Sequence, residues 1–260
     1  MKLKSDWSFD ARLYQELNIA REQVLRPIFA ELKQDLQLKT AVDVGCGVGH
    51  FSNVLHTLGF EVLGLDAREE NVVEARQRFP DIEFRVLNAE DPGMEKLGMF
   101  DVGLCLGLLY HLENPFRAIR QLGTITSKIA FVEGVCYPSA DPVMVLLDEN
   151  KLGDQGVNYL AFYPSEACLL KMLYNAAFTD CFYPQPMPAH PFYQQNGNGF
   201  RYRTIMTASK LPLTSERLAR VAAPETDLTP WNMKPLRALG LRADRLAGAL
   251  LRALRPSAKK

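Results

Sequence analysis

The chain has 260 residues, 47% hydrophobic and 23% charged, the balance of an ordinary globular protein. Its 30 Lys/Arg and 30 Asp/Glu cancel, which excludes a global field that would gather nucleic acid or an anionic membrane. Cys46, Cys105, Cys136, Cys168 and Cys181 stand too far apart for a CxxC pair or a zinc knuckle, so no metal site is expected and the thiols read as reduced.

Met1 to Trp7 leads into a charged amphipathic stretch with no apolar signal-peptide core, and no run of 18 uncharged apolar residues exists. Neither a signal peptide nor a membrane span is expected, and a cytoplasmic location follows. From Phe9 to Leu38 apolar residues recur at helical spacing with an interruption at Pro27, which predicts two helices, an N-terminal cap over residues 1–39. The chain then alternates. Strands are expected at Thr40–Val44, Glu61–Leu65, Glu83–Leu87, Phe100–Leu106 and Lys128–Glu133, with helices at Gly49–Leu58, Glu69–Phe79 and Pro115–Leu122. Strands alternating with helices of about ten residues make βαβ units and a parallel sheet. After Glu133 a long segment runs to Phe162, followed by a capped helix Ser165–Ala177 and strands at Thr179–Tyr183 and Phe200–Ala208. The fold class is α/β: a doubly wound, mainly parallel seven-stranded sheet over residues 40–210, with a C-terminal extension over 211–260.

Pro184 to Gly199, rich in Pro, Asn and Gln, reads as a lid or substrate loop. Arg201 and Arg203 alternate along the last strand; they could meet an anionic group, with two solvated charges as the plainer reading. Residues 224–260 carry eight Lys/Arg against three Asp/Glu. Within them, Leu236 to Leu254 forms an Arg-rich amphipathic helix compatible with peripheral membrane contact, a partner helix, or packing on its own domain.

The sharpest local feature is Asp43-Val44-Gly45-Cys46-Gly47-Val48-Gly49-His50, an apolar strand running into three alternate glycines and a helix. Glycines there remove the Cβ atoms that would keep a ligand off the backbone and permit positive φ. In an open α/β sheet this first turn lies at the topological switch point where ligands bind. The dinucleotide fingerprint G-x-G-x-x-G is not met, because position 50 is His. A G-x-G-x-G turn preceded by Asp43 suits a ligand with a cationic amine. Asp66 ends the second strand with a carboxylate placed for ribose hydroxyls.

Val42 to Ser52, Leu63 to Ala67, Asn88-Ala89-Glu90-Asp91 and Phe100 to His111 together resemble motifs I to IV of the class I S-adenosylmethionine-dependent methyltransferases. The resemblance implies S-adenosyl-L-methionine as cofactor, with Asp43 at the methionine amine and the Gly45, Cys46, Gly47 and Gly49 backbone along the methionine portion. It further implies Asp66 and Ala67 at the ribose, Asn88, Ala89 and Glu90 at the adenine, and Leu106 at the end of the fourth strand. Glu90 stands where the family commonly has Asp.

Methyl transfer from a sulfonium is an in-line displacement that needs positioning and water exclusion more than covalent help. At the expected reacting end stand Tyr110 and His111. An imidazole can deprotonate a hydroxyl or amine near neutral pH, and Tyr110 can orient the acceptor or face the cation; the competing reading has the two merely closing the strand. No Asn/Asp-Pro-Pro-Tyr box, Pro-Cys nucleophile or His cluster is present, which leaves O- or N-methylation of a small molecule. Tyr137, Tyr159, Phe162, Tyr163, Phe192 and Tyr193 lean toward an apolar or aromatic acceptor.

Leu106 to His111, Asn114-Pro115 and Tyr163-Pro164-Ser165 are also similar to the enzymes that carboxymethylate hydroxyuridine in tRNA, so that activity is an alternative, although the mildly acidic body makes nucleic acid an unexpected partner. A nicotinamide oxidoreductase of the short-chain kind would need Tyr-x-x-x-Lys, which no tyrosine provides. A non-catalytic, cofactor-binding partner subunit is the remaining alternative.

Overall fold

The computed structural model describes residues 8–148 and 160–225. Two compact units divide the chain, Met1–Pro224 and Glu225–Lys260; the basic helix expected at 236–254 and Tyr159 lie outside the described residues. In the first unit, helix α1 (Arg12–Asp35) is followed by β1 (Thr40–Val44), α2 (His50–Thr57), β2 (Glu61–Asp66), α3 (Glu69–Arg78), β3 (Glu83–Val86), β4 (Phe100–Leu106), α4 (Pro115–Ile125) and β5 (Thr126–Val135). Then come β6 (Met144–Asp148), β7 (Leu160–Pro164), α5 (Glu166–Asn175), β8 (Asp180–Pro184), β9 (Arg203–Ser209) and β10 (Leu218–Val221).

Eight strands form one sheet in the order β10-β8-β9-β5-β4-β1-β2-β3. The pairs from β3 to β5 are parallel, whereas β9, β8 and β10 run antiparallel to their neighbours. The order reverses between β1 and β4, which are adjacent though α2, β2, α3 and β3 separate them in the chain. A crevice opens there beyond the carboxyl ends of the strands. Seven strands answer to the expected sheet. The eighth, β10, pairs Leu218 with Pro184 through Val221 with Cys181, within a stretch that sequence reasoning gave to the C-terminal extension.

Strand alternation sends successive side chains to opposite faces. Along β5, Ile129 and Phe131 join Leu25, Ile28, Phe29 and Leu55 of α1 and α2. Ala130 and Val132 join Ile119, Leu122 and Leu173 of α4 and α5 on the other face. Helix α1 differs from expectation in running unbroken through Pro27. A proline within a helix costs about 3 kcal/mol, but Leu25, Ile28, Phe29 and Leu32 are each at most 2% exposed. At roughly 1.5 to 3 kcal/mol for each such buried side chain, burial prevails.

The long segment after β5, to which the sequence assigns no element as far as Phe162, holds a second sheet in which β6 and β7 pair antiparallel from Met144–Pro164 to Asp148–Leu160. Its exit is fixed by Ser165, which caps α5 by accepting from the Cys168 N–H at 3.1 Å and donates to the Asp141 carbonyl at 2.7 Å. Among the described residues, no helix is long and apolar enough to cross a membrane.

Candidate active site

The β1-to-α2 turn is a tight backbone hook. The N–H groups of Gly45 and Cys46 both donate to the Leu65 carbonyl, at 2.7 and 2.9 Å, tying the turn to β2. Gly45 and Gly47 hold φ of +77° and +55°, and a Cβ on Gly45 would stand 2.8 Å from the Leu108 side chain. Glycine is required there because other residues occupy this region only under strain. Asp66 closes the turn from β2: its carboxylate accepts from the Gly47 N–H at 2.9 Å, the Arg68 N–H at 2.9 Å and the Asn71 amide at 3.0 Å. Burial pushes the Asp66 carboxyl above its ordinary range while those three donors pull it back.

A cavity of about 400 Å³ opens over this hook, within the range of small-molecule sites. Its wall includes Gly45, Gly47, Asp66, Ala67, Asn88, Ala89 and Leu106 on the glycine side, and Tyr110, His111, Tyr163, Tyr202 and Arg203 at the other end. The structure thus brings nine of the expected site residues onto one wall. Tyr110 and His111 lie in a 3₁₀ turn after β4, with ring centroids 4.1 Å apart.

Four expected residues are not on that wall. Asp43 is 2% exposed and accepts the Ser52 hydroxyl at 2.7 Å, and burial pushes its carboxyl up to about 6. Cys46 lies on a separate cavity with Val48 and His50, and burial pushes its thiol well above the ordinary range. A Cβ on Gly49 would meet the Phe84 ring at 2.9 Å, so this glycine serves helix packing. The Glu90 carboxylate turns to the start of α4, where it accepts from the N–H groups of Glu113 and Asn114 at 3.2 and 2.6 Å. Free amides near a helix start attract an acid, which explains why it leaves the cavity.

Sequence reasoning missed the floor of the cavity. Glu133, fully buried in β5, accepts from Arg21 Nη1 at 2.9 Å, Arg203 Nε at 2.6 Å, Arg203 Nη2 at 3.2 Å and the Tyr193 hydroxyl at 2.6 Å. Burial alone would raise this carboxyl, but Arg203 and Arg21 outweigh it and hold the group down at about 2. Arg203 also donates from Nη2 to the Tyr110 hydroxyl at 3.2 Å, with its guanidinium 5.2 Å from the centre of that ring. The expectation of two solvated arginines on the last strand is therefore corrected. Arg203 is 7% exposed and Arg201 pairs with Glu166 at 3.2 Å, because a charge facing the interior must find a partner.

The segment 184–199, expected as a lid or substrate loop, is held to the cluster at one point. Tyr193 is 1% exposed and anchored on Glu133, and Phe192 packs on the Tyr202 ring at 5.0 Å, so neither ring is on the wall, whereas residues 194–199 are exposed. Of the aromatic residues expected around the acceptor, Tyr163 is on the wall, Tyr137 lines a different cavity and Phe162 lies within β7. Two features of the sequence mark the missed cluster. Arg21 interrupts the apolar stripe Leu17, Val24, Leu25, Ile28, and Glu133 interrupts the apolar run Ile129 to Val135.

A doubly wound sheet with a bare glycine hook, a strand-end carboxylate and one cavity at the switch point defines a nucleoside-cofactor domain. A family described as methyltransferase domain matches residues 42–128, the span that contains the hook, Asp66 and the turn with Tyr110 and His111. Over that span the chain is similar to methyltransferase domains. Ubiquinone biosynthesis O-methyltransferase of Bordetella avium is 31% identical over 94 residues, covering 35% of this chain and 39% of that protein. The enzyme of the same description from Pseudomonas paraeruginosa is 34% identical over 100 residues, covering 37% and 43%. The chain thus matches about two fifths of the length of these relatives. Among solved structures, the N-terminal domain of EvdMO1 with S-adenosylhomocysteine bound superposes with a TM-score of 0.59 at 19% identity, covering 71% of this chain and 80% of that one. Magnesium protoporphyrin IX methyltransferase from Synechocystis PCC 6803 superposes with a TM-score of 0.55 at 20% identity, covering 77% and 88%.

Proposed function

We propose that this protein transfers a methyl group from S-adenosyl-L-methionine to an oxygen or nitrogen of a small-molecule acceptor, in the cytoplasm. The observation that carries the reading is the single cavity whose wall joins the Gly45–Gly47 hook and Asp66 to Tyr110, His111 and Tyr163. The residues present fit the cofactor: the Gly45 and Gly47 backbone is on the cavity wall, Asp66 offers carboxylate oxygens for ribose hydroxyls, and Asn88 and Ala89 on the same wall are the residues that would meet the base. When bound, S-adenosylmethionine supplies a methyl carbon activated by the neighbouring sulfonium.

The protein's own contribution is positioning and proton handling. Tyr110 and Tyr163 meet edge to face at 5.9 Å and give the acceptor end an aromatic lining that excludes water. His111 is the wall residue suited to taking the acceptor's proton, at an imidazole nitrogen. Glu133 is unsuited to it: four donated hydrogen bonds and two guanidiniums keep it ionised. The similarity to ubiquinone O-methyltransferases favours oxygen over nitrogen as the methylated atom.

Calorimetry with S-adenosylmethionine, S-adenosylhomocysteine and NAD tests the cofactor. Heat with both sulfur compounds and none with NAD is expected; no heat with either sulfur compound overturns the reading. Mass spectrometry of a panel of phenols, alcohols and amines incubated with cofactor then tests turnover. Formation of S-adenosylhomocysteine together with a product heavier by one methyl group is expected.

A further inference from the structure

The cluster under Tyr110 is unbalanced. Arg21 and Arg203 contribute two positive charges and Glu133 one negative charge, all at most 7% exposed. The tyrosines touching the cluster do not restore balance, since burial pushes Tyr110 and Tyr193 upward and keeps both hydroxyls protonated. Asp43 is held by Ser52, and Asp66 by Gly47, Arg68 and Asn71; neither accepts a hydrogen bond from either arginine among the described residues. A device serving stability alone gains nothing from a surplus buried cation, whose desolvation is repaid only by a partner.

Arg21 also donates from Nη2 to the buried Asn18 side-chain oxygen. Both arginines are wall residues. A Cβ placed on Gly107, also on the wall, would lie 3.7 Å from Arg21 Nη1, 3.8 Å from Arg203 Nη2 and 3.9 Å from Glu133 Oε2, so the absent side chain leaves room beside the whole cluster, two guanidiniums to one carboxylate. Arg21 Nε is buried without a hydrogen-bond partner. Tyr110 receives a hydrogen bond from Arg203, which leaves its own O–H to donate.

We propose that Arg21, Arg203 and Tyr110 form a receptor for a carboxylate carried by the methyl acceptor, so that the acceptors are small organic acids methylated at another atom. A guanidinium fork matches a carboxylate in plane and charge, and a carboxylate so held is a poor nucleophile, which directs the methyl group elsewhere on the molecule. The inference rests on the methyltransferase reading above. The cofactor's own methionine carboxylate is a second source of the same chemistry, and the test separates the two.

Protein saturated with S-adenosylhomocysteine is titrated calorimetrically with benzoate, cinnamate and hexanoate and, in parallel, with the three corresponding amides. At least one acid is expected to bind tenfold or more tighter than its amide, about 1.4 kcal/mol, and Arg203→Met is expected to abolish that preference while Arg203→Lys keeps part of it. Three acids binding no tighter than their amides overturn the proposal, and this comparison uses the wild-type protein, so it stands even where a variant fails to fold. In the second arm, the decarboxylated analogue of S-adenosylhomocysteine replaces it. Acids that bind only to protein loaded with that analogue show the cluster taken by the cofactor and overturn the assignment to the acceptor. Failure of S-adenosylhomocysteine itself to bind refutes the methyltransferase reading instead.

Discussion

Glu133→Gln isolates the charge of the buried cluster, because the amide preserves volume and the oxygen that accepts from Tyr193. The carboxyl is held at about 2 against an ordinary 4.5. At ~1.4 kcal/mol for each tenfold of proton affinity, the ionised form contributes roughly 3 kcal/mol to folding. Removing one member of a buried ion cluster costs about 3 to 5 kcal/mol in measured cases, because it strands the other charges. The two routes agree on about 3 kcal/mol, which lowers the melting temperature by roughly 6 to 12 °C in a chain of this size.

The pH dependence gives the prediction its sign. A carboxyl depressed in the folded state contributes fully above its unfolded value and loses that contribution as pH falls through the folded one. Urea denaturation should therefore find the gap between wild type and Glu133→Gln whole at pH 7, narrowing below about 4.5, and less than half its full size near pH 3. A gap under about 1 kcal/mol at pH 7, or an equal gap at pH 7 and pH 3, refutes the claim that two guanidiniums hold this carboxylate ionised.

Asp43→Asn should act the other way on the ligand-free protein. Asp43 titrates at about 6 rather than 3.8, so its charge opposes folding by up to about 3 kcal/mol above pH 6 and not at all below about 3.8; urea melts should show the variant more stable at pH 7, with the difference closing by pH 4. Gly45→Ala places a methyl group at φ +77°, 2.8 Å from Leu108, and should weaken S-adenosylhomocysteine binding at least tenfold by calorimetry, about 1.4 kcal/mol or more; unchanged affinity removes the hook from the site. His111→Ala should lower the rate of methyl transfer by about 10² to 10⁴ while leaving S-adenosylhomocysteine affinity within about threefold, and an equal loss of both assigns His111 to cofactor binding.

The parallel half of the fold was legible because its physics is local. Thr40–Val44 and Phe100–Leu106 occur as expected, since a buried apolar run bounded by turn residues has few other solutions. Pro27 misled because propensity is read one residue at a time, whereas Leu25, Ile28 and Phe29 act together through contacts with β5 that lie a hundred residues away in sequence. The β6–β7 hairpin was illegible for want of alternation: Val145 is half-buried, and Leu146 and Leu147 are both exposed, so no period of two appears. Strand β10, four residues with Leu218 buried and Arg220 exposed, borrows its order from β8 and carries little signal of its own.

The same division runs through the site. Gly45, Gly47 and Asp66 could be found because backbone freedom and a strand-end acid are properties of adjacent residues. Arg21 and Glu133 show in the sequence only as charges that interrupt apolar stretches, and Arg203 only as one of two alternating arginines; the topology alone brings the three together. The antiparallel entry of β9 is decisive. Its register sets Arg203 against Val135 and Ile205 against Glu133, so Arg203 and Glu133 become diagonal neighbours on the sheet face that α1 covers, within reach of long side chains. Ile205, Phe131 and Leu25 share that face, which is why Arg21 arrives there as well. A slip of one residue in the β5–β9 register would turn Arg203 to the opposite face, among Ala130, Val132 and Met206. There it would lose Glu133 as its partner, and the cavity would lose Arg203 from its floor while keeping its glycine hook.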